Sequence, residues 1–148
     1  MTHETHRFAI RAAWSGDGVG SGRAELPEGD AISYAGATVL GGSGGRANPE
    51  TLFLSALSAC FLNTWAIFLK KLNLAHPDPS LEASCEVGKD PAGGFRIQKA
   101  AMRVRVPKAL LDAERAQVEK TVALAEKYCI VSKLTRAAMP LEVTIEPG

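Results

Sequence analysis

The longest run of uncharged residues in the chain extends from Thr51 to Leu69. As an α-helix it would be about 28 Å long, which is close to the hydrocarbon thickness of a membrane. Polar side chains interrupt the run, however, and the segments on either side alternate as in soluble sheets, so a buried core helix is favoured. A helix that is apolar all round needs cover on every side, and a second subunit is the simplest source. We therefore expect a homodimer and no membrane span.

The residues that flank this run predict where the helix begins and ends. Asn48 is a good N-cap, Pro49 fits the first helical position, and Glu50 suits the positive end of the helix dipole. The helix should end near Lys71 or Leu74, before the prolines at positions 77 and 79.

Short strands are predicted on the N-terminal side of the helix. The alternation of four apolar residues is typical of a half-buried strand: Phe8, Ile10, Ala12 and Trp14. A glycine-rich turn over 15–22 follows, and 23–34 should contain two more short strands. Together the three strands should form an antiparallel meander.

The glycine run Gly41–Gly45 lies between these strands and the helix. It lacks the Gly-Lys-Ser/Thr sequence with which a phosphate loop places a lysine and a hydroxyl on the phosphates. We interpret it as a flexible connector that lets the backbone approach another group closely.

Alternation also predicts two strands after the helix. The segment Leu81–Val87 alternates, with Cys85 on its apolar face. A turn at 92–94 leads into a second strand, Phe95–Val106, whose apolar positions change phase part-way. A bulge near Lys99 would reconcile the two phases.

An amphipathic helix should begin at Pro107, with an apolar stripe at Leu111, Val118, Val122 and Ala125. Cys129 would lie at its end or at the start of a short turn over 130–137, and Leu141–Ile145 would be the last strand. The order of three strands, helix, two strands, helix and strand predicts an α+β fold with an antiparallel sheet, in a single domain over 1–148.

Composition excludes several functions. The net charge is +1, from 17 basic and 16 acidic residues, and no basic stripe suggests nucleic acid binding. The polar N-terminus is not a secretory signal, so a cytoplasmic location is expected. Three cysteines cannot form a closed disulfide framework, and the three histidines lie far from them in sequence, so we expect neither a metal site nor a cofactor.

The residues alone leave the role of Cys60 open. A cysteine in an apolar helix is usually a small hydrophobic side chain. As a nucleophile it would need a nearby cation or a helix N-terminus. Cys60 lies about ten residues into the helix, so the cation would have to come from elsewhere in the fold.

Two segments carry a family resemblance. The stretch Leu40–Leu52 (LGGSGGRANPETL), followed by Ala56 and Ser58–Phe61 (SACF), resembles the OsmC/Ohr family of osmotically inducible and organic-hydroperoxide-resistance proteins. The segment Tyr128–Ser132 (YCIVS) is similar to the region of that family's second cysteine. The resemblance covers roughly Trp14 to Glu146, and its specific part is Asn-Pro-Glu followed ten residues later by cysteine.

The resemblance implies an intertwined homodimer with two active sites at the subunit interface, and a thiol peroxidase for organic hydroperoxides. Cys60 would be the peroxidatic thiolate and Cys129 the resolving thiol. The resulting disulfide would be reduced by an external dithiol, which in relatives is often a lipoyl group. Apolar surroundings would favour hydrophobic peroxides over hydrogen peroxide.

By the same resemblance, Glu50 would orient an arginine that activates Cys60. Ten helical residues separate Glu50 from Cys60 by about 15 Å, so each Cys60 is expected to use the Glu50 of the partner subunit. In Ohr-type members this arginine lies in the first glycine turn, where this chain has Gly20, and in OsmC-type members it precedes the glycine loop by a few residues, where Leu40 or a neighbour stands. Arg23 and Arg46 are the substitutes, although either is also typical of a solvated loop residue.

Two other functions remain open. A relative without peroxidase activity would bind small hydrophobic ligands in the same interfacial pocket, and a purely structural dimer would carry vestigial thiols. The displaced arginine favours these alternatives, whereas the two retained cysteines favour the enzyme. Cys85 matches no family site and is expected to fill the core.

Overall fold

The computed structural model describes residues 3–76 and 78–148. In this part of the chain a short 3₁₀ turn at Thr38–Leu40 precedes the first helix. The strands and helices, in chain order, are β1 (Arg11–Ser15), β2 (Ser21–Glu25), β3 (Ala31–Tyr34), α1 (Pro49–Lys71), β4 (Ser80–Lys89), β5 (Phe95–Val106), α2 (Lys108–Tyr128), α3 (Ile130–Ala138) and β6 (Leu141–Pro147). The predicted α+β class is confirmed. The chain divides into two compact units, one ending at Leu52 and the other running from Phe53 to Gly148.

The first unit contains the predicted meander, in which β1 pairs with β2 and β2 with β3, both antiparallel. Its first strand begins at Arg11 rather than Phe8, and all five residues of β1 are exposed. The prediction of a half-buried strand is therefore wrong. Alternation shows that a strand has an apolar face, but the face is buried only where another layer packs on it.

The glycine connector forms a loop in which several glycines adopt left-handed backbone conformations. Gly41, Gly44 and Gly45 have φ values of 89°, 66° and 75°, a region that glycine occupies at little cost. A Cβ on Gly42 would lie 2.2 Å from the carbonyl carbon of Gly36, so the backbone approaches closely, as predicted. The Gly44 N–H donates a 3.0 Å hydrogen bond to the Gly36 carbonyl across this contact.

The N-terminus of α1 is capped as the sequence predicts. The Asn48 side chain accepts a 2.9 Å hydrogen bond from the Thr51 N–H, and the Thr51 hydroxyl accepts one of 3.2 Å from the Asn48 N–H. These reciprocal bonds satisfy two backbone donors at the helix start. The helix ends at Lys71, as predicted, whereas the predicted break at Pro77 lies outside the described residues.

The single chain buries α1 along one stripe only: Leu57, Phe61, Trp65 and Leu69. Among the described residues it is the one helix long and apolar enough to cross a membrane, with a mean hydropathy of 1.8, and 22% of its most apolar window is buried. Core helices of soluble proteins meet the same criterion of length and composition. A single chain thus leaves part of α1 uncovered, as the sequence predicts, since Ile67 is 47% exposed. The predicted homodimer, which would cover the open faces, stays a prediction.

The second unit contains the other sheet, in the order β4-β5-β6. β4 and β5 are antiparallel, and the register passes from Glu86 opposite Lys99 to Val87 opposite Ile97. This shift confirms the bulge predicted near Lys99. β6 pairs parallel to β5, so the prediction of a purely antiparallel sheet is wrong. The helical connection from β5 to β6 is long enough to return the chain to the same end of the sheet, which a parallel pairing requires.

The segment after Cys129 also differs from the prediction, because 130–138 forms α3 rather than a short turn. α2 starts after Pro107 as predicted, with a non-helical residue at Glu114 (φ −137°, ψ 33°). The sheet and helices of this unit enclose a core of fully or almost fully buried side chains: Leu57, Phe61, Trp65, Met102, Val104, Val106, Leu111, Val118, Ala125 and Cys129.

Candidate active site

Cys129 is the N-cap of α3 and is fully buried. Its sulfur accepts a 3.4 Å hydrogen bond from the Ser132 N–H, in the way that a serine or aspartate oxygen usually caps a helix. The backbone N–H of Cys129 bonds to the Ala125 carbonyl at 2.8 Å and ties this residue to the end of α2. Cys129 is therefore held between two helices.

Cys60 lies in the middle of α1, next to Phe61 of the buried stripe. It is partly exposed, and its side chain packs against the core cluster that contains Cys129. Its carbonyl accepts a 2.8 Å hydrogen bond from the Thr64 hydroxyl one helical turn further on. Cys60 is thus the more accessible of the two thiols.

The structure brings Cys60 and Cys129 together as interacting thiols. Burial raises the pKa of the Cys129 thiol, Ser132 opposes part of that rise, and the Cys60 side chain adds to it. A hydrogen bond from the neutral thiol to its neighbour favours the protonated form, which is the direction seen here. The arrangement therefore favours a state in which Cys129 keeps its proton beside Cys60.

Glu50 lies in the first turn of α1 and belongs to the first unit. One of its carboxylate oxygens is buried and has no hydrogen-bond partner among the described residues. A buried carboxylate oxygen without a donor is costly, since desolvation is not compensated. This oxygen of Glu50 therefore has no donor within the part of the chain that the structure describes.

The two candidate arginines are surface residues of the first unit. Arg23 lies on β2 and forms an exposed ion pair with Glu25, at 3.7 Å. Arg46 is exposed in the loop before α1. An exposed ion pair contributes little stability, about 1 kcal/mol at most, so Arg23 is free to exchange its partner.

Cys85 is half-buried on β4 and packs against the core of the second unit, as expected for a core-filling cysteine. In the described part of the chain, no group of three or more His, Cys, Asp or Glu side chains is arranged to bind a metal ion.

Ser132 is not among the site residues that the sequence predicts. Its backbone and side chain both act on Cys129 in the direction that lowers the thiol pKa, and the residue is fully buried. The available signal was the spacing Cys-x-x-Ser, since an N-cap side chain accepts from the N–H three residues later. The signal is informative only if a helix begins at this point, whereas the sequence predicts a turn over 130–137, which has no N-cap.

The OsmC-like protein family model matches residues 42–144, a range that includes Glu50 and both cysteines of the pair. The chain belongs to the OsmC-like family.

Two curated relatives carry related names. The organic hydroperoxide resistance protein of Xanthomonas axonopodis pv. citri is 32% identical over 108 residues, which are 72% of this chain and 72% of that protein. Organic hydroperoxide resistance protein OhrB of Bacillus subtilis is 31% identical over 100 residues, covering 67% of this chain and 69% of OhrB. The resemblance to the OsmC/Ohr family is thereby confirmed.

Solved structures agree on the fold. The crystal structure of an organic hydroperoxide resistance protein OsmC from Legionella pneumophila superposes with a TM-score of 0.77 at 22% identity, covering 96% of this chain and 99% of that one. At this identity the likeness concerns the fold alone. This OsmC-like chain therefore has the family architecture over almost its whole length.

Proposed function

We propose that this OsmC-like protein is a cysteine-based peroxidase that reduces organic hydroperoxides. The observation that carries the proposal is the contact between a partly exposed thiol, Cys60, and a buried thiol, Cys129, in one unit of the fold. The names of its relatives refer to organic hydroperoxide resistance. A redox pair needs such proximity, because a disulfide joins sulfurs only when the two Cβ atoms are close.

The proposed cycle begins at Cys60. Its thiolate attacks one peroxide oxygen, the O–O bond breaks, and the alkoxide leaves as an alcohol after it takes up a proton. Cys60 is then a sulfenic acid. The Cys129 thiolate attacks the Cys60 sulfur and displaces hydroxide, which leaves as water, and a disulfide forms. An external dithiol donates two electrons in two exchange steps and restores both thiols.

The surroundings of Cys60 suit an apolar substrate. The core that it packs against is made of aliphatic and aromatic side chains, including Leu57 and Phe61 next to it on α1. An alkyl or aryl hydroperoxide gains free energy by leaving water for such a surface, whereas hydrogen peroxide has no apolar part to bury. We therefore assign organic hydroperoxides as the substrate class.

In this proposal the active form is a cytoplasmic homodimer. The open faces of α1 need cover, and the buried oxygen of Glu50 needs a donor. An arginine, either Arg23 or Arg46, pairs with Glu50 and stabilises the Cys60 thiolate across the dimer. A guanidinium is suited to this because it binds a carboxylate with two parallel N–H donors.

One observation favours a second function, the binding of a small hydrophobic ligand without peroxide chemistry. An open apolar cavity of about 440 Å³ lies on the sheet of the first unit. Its volume falls within the range of small-molecule sites, which is about 300–1,000 Å³. The lining residues are Ile10, Ala12, Ala24, Leu26, Ile32, Tyr34, Pro49 and Leu52.

Mass spectrometry after peroxide treatment distinguishes the two functions. Reduced protein treated with one equivalent of cumene hydroperoxide should lose two hydrogens and yield a peptide pair linked through Cys60 and Cys129. The Cys85→Ser variant is the matched control and should give the same product. If Cys60 stays reduced in excess peroxide, the peroxidase proposal is wrong and ligand binding becomes the better account.

A further inference from the structure

Ser132 has a buried hydroxyl that is not used by the fold. The residue is fully buried at the third position of α3, and its oxygen makes no well-aligned hydrogen bond with any described residue. Thr135, one turn later and also buried, donates its hydroxyl to the Val131 carbonyl at 2.8 Å. Since a buried hydroxyl without a bond costs about 1–3 kcal/mol, the position of Ser132 needs a reason other than helix stability.

The reason that the geometry offers is the sulfur of Cys129. The Ser132 N–H already donates to it at 3.4 Å. The hydroxyl lies near enough to act on the same thiol, and it is free to rotate its proton towards a charged sulfur. The hydroxyl and the backbone N–H of Ser132 are thus two donors that are both close to the Cys129 sulfur.

We propose that Ser132 is a positioning residue that stabilises the Cys129 thiolate, both when this thiolate attacks oxidised Cys60 and when it is released on reduction of the disulfide. The inference rests on the proposed function for its place in the cycle. The ionised sulfur, unlike the neutral one, is an acceptor strong enough to engage both donors.

The same geometry determines which sulfur of the disulfide the reductant attacks, which we call the direction of reduction. An attacking thiolate must approach in line with the S–S bond, from the side opposite the leaving sulfur. Cys60 is partly exposed and Cys129 is fully buried, so the external thiolate bonds to Cys60. The S–S bond breaks and its electron pair leaves with Cys129. The second thiol of the dithiol then attacks the mixed disulfide and releases the Cys60 thiolate.

Burial makes this support necessary. Desolvation is the largest influence on Cys129 and raises its pKa, whereas Ser132 acts against it. A thiol with a higher pKa is a slower leaving group, and it is ionised less often when it must act as a nucleophile. Removal of the hydroxyl should therefore slow the two steps in which Cys129 carries the charge and leave the attack of Cys60 on peroxide unchanged.

Titration of the lone Cys129 thiol tests the role of the hydroxyl. In the Cys60→Ser/Cys85→Ser background, the ultraviolet absorbance of the thiolate is followed against pH, with and without Ser132→Ala. We expect the midpoint to rise by about one pH unit, since a hydrogen bond to a charged group changes the ionised fraction about tenfold. Thr135→Val is the matched control, because it also removes a buried hydroxyl from α3, and it should not move the midpoint.

The titration midpoints of the two variants distinguish a specific effect of Ser132 on the Cys129 thiolate from a general effect on the structure of α3. If Ser132→Ala leaves the midpoint unchanged, or if Thr135→Val moves it equally, the proposed role is wrong. A circular dichroism spectrum and thermal midpoint for each variant identify misfolded protein. For a variant that does not fold, Ser132→Thr, which keeps the hydroxyl, provides the second comparison and should retain the parental midpoint.

The direction of reduction has its own test. Diamide forms the disulfide without peroxide, so this measurement does not depend on peroxidase activity. Brief treatment with 2-mercaptoethanol followed by alkylation should place the mixed disulfide on Cys60 and the alkyl group on Cys129. The reverse assignment, or failure of diamide to link the two cysteines, would overturn the inference. Linkage by diamide without reaction towards cumene hydroperoxide would overturn the proposed function alone.

Discussion

The two sheets of this protein differ in how they are covered. In the second unit, the inner face of β5 is completely buried, with Met102, Val104 and Val106 at 0% exposure. In the first unit, every residue of β1 is exposed and an apolar cavity lies open on the sheet. Both sheets have alternating sequences, and in the second unit helices pack on the apolar face of the sheet.

The candidate site follows the same division. Both thiols belong to the second unit: Cys129 lies in its hydrophobic core, and Cys60 packs against that core. Glu50, Arg23 and Arg46 belong to the first unit, where one oxygen of Glu50 has no partner and both arginines are exposed. One chain is therefore sufficient to bring the two thiols together, whereas the cation proposed to activate Cys60 is expected only in the assembled dimer.

The largest effect is expected from Cys60→Ser. If the thiol pair carries the chemistry, loss of the nucleophile should reduce the turnover of cumene hydroperoxide by at least about 10³-fold. Residual peroxide, measured with ferrous xylenol orange, reports this directly. Cys129→Ser serves as the comparison and should still consume one equivalent of peroxide, because only the resolving step is lost. Full turnover by Cys60→Ser would exclude Cys60 as the nucleophile.

Two truncations of apolar side chains, one in each unit, compare how much the units contribute to the free energy of unfolding. Phe61→Ala removes a fully buried ring and should cost about 3–5 kcal/mol in the free energy of unfolding. Ile10→Ala, on the open sheet at 60% exposure, should cost less than about 0.5 kcal/mol in dilute protein. Urea unfolding at two protein concentrations provides both values. If a second copy covers this sheet, the cost of Ile10→Ala will grow with concentration.

The arginine candidates are distinguished by their rates of Cys60 oxidation. A guanidinium next to a thiol shifts its ionisation by one to three pKa units, which is about 10- to 1000-fold in the thiolate fraction. We expect Arg23→Ala or Arg46→Ala, but not both, to lower the second-order rate constant with cumene hydroperoxide within this range. In stopped-flow measurements from acid to alkaline pH, the rate constants of the variant and the wild type should become equal at the pH where the thiol is fully ionised in both. Two unaffected variants would exclude both arginines.

The smallest effect concerns the outer face of the second sheet. Arg105 and then Arg103 hold the pKa of Glu82 below its ordinary value. A carboxylate whose pKa is lower in the folded than in the unfolded protein stabilises the fold at pH values above its unfolded-state pKa. This stabilisation is lost as the pH falls through the folded-state pKa. Glu82→Gln should therefore lower the urea midpoint slightly at neutral pH, by an amount that decreases with salt and disappears in acid. A larger effect in acid than at neutral pH would contradict the assignment.

The elements of the fold could be predicted where the local signal was strong. The run of apolar residues and the cap at Asn48 predicted α1, and the change of phase in β5 predicted the bulge. The direction of β6 could not be predicted, because alternation is the same in parallel and antiparallel strands. The burial of β1 was also predicted wrongly, because alternation indicates an apolar face without showing whether another layer covers it.

The candidate site was predictable in its residue types and not in its geometry. Asn-Pro-Glu and the two cysteine segments indicated the family, which the comparisons confirm. That Cys129 caps a helix and that Ser132 donates to it depend on α3, whose first residues resemble a turn. The partner of Glu50 stays a prediction, since the family position for the arginine holds other residues.

The sequence by itself determined the family, the strands, the helices α1 and α2 and the two cysteines, because each depends on residues that are neighbours along the chain. The tertiary structure alone decided that Cys60 and Cys129 interact, that one is open and the other buried, and that Ser132 faces the buried sulfur. These features depend on the packing of α1 and α3 against one core. Residues about seventy positions apart come together there because of burial and hydrogen bonding, which no local pattern encodes.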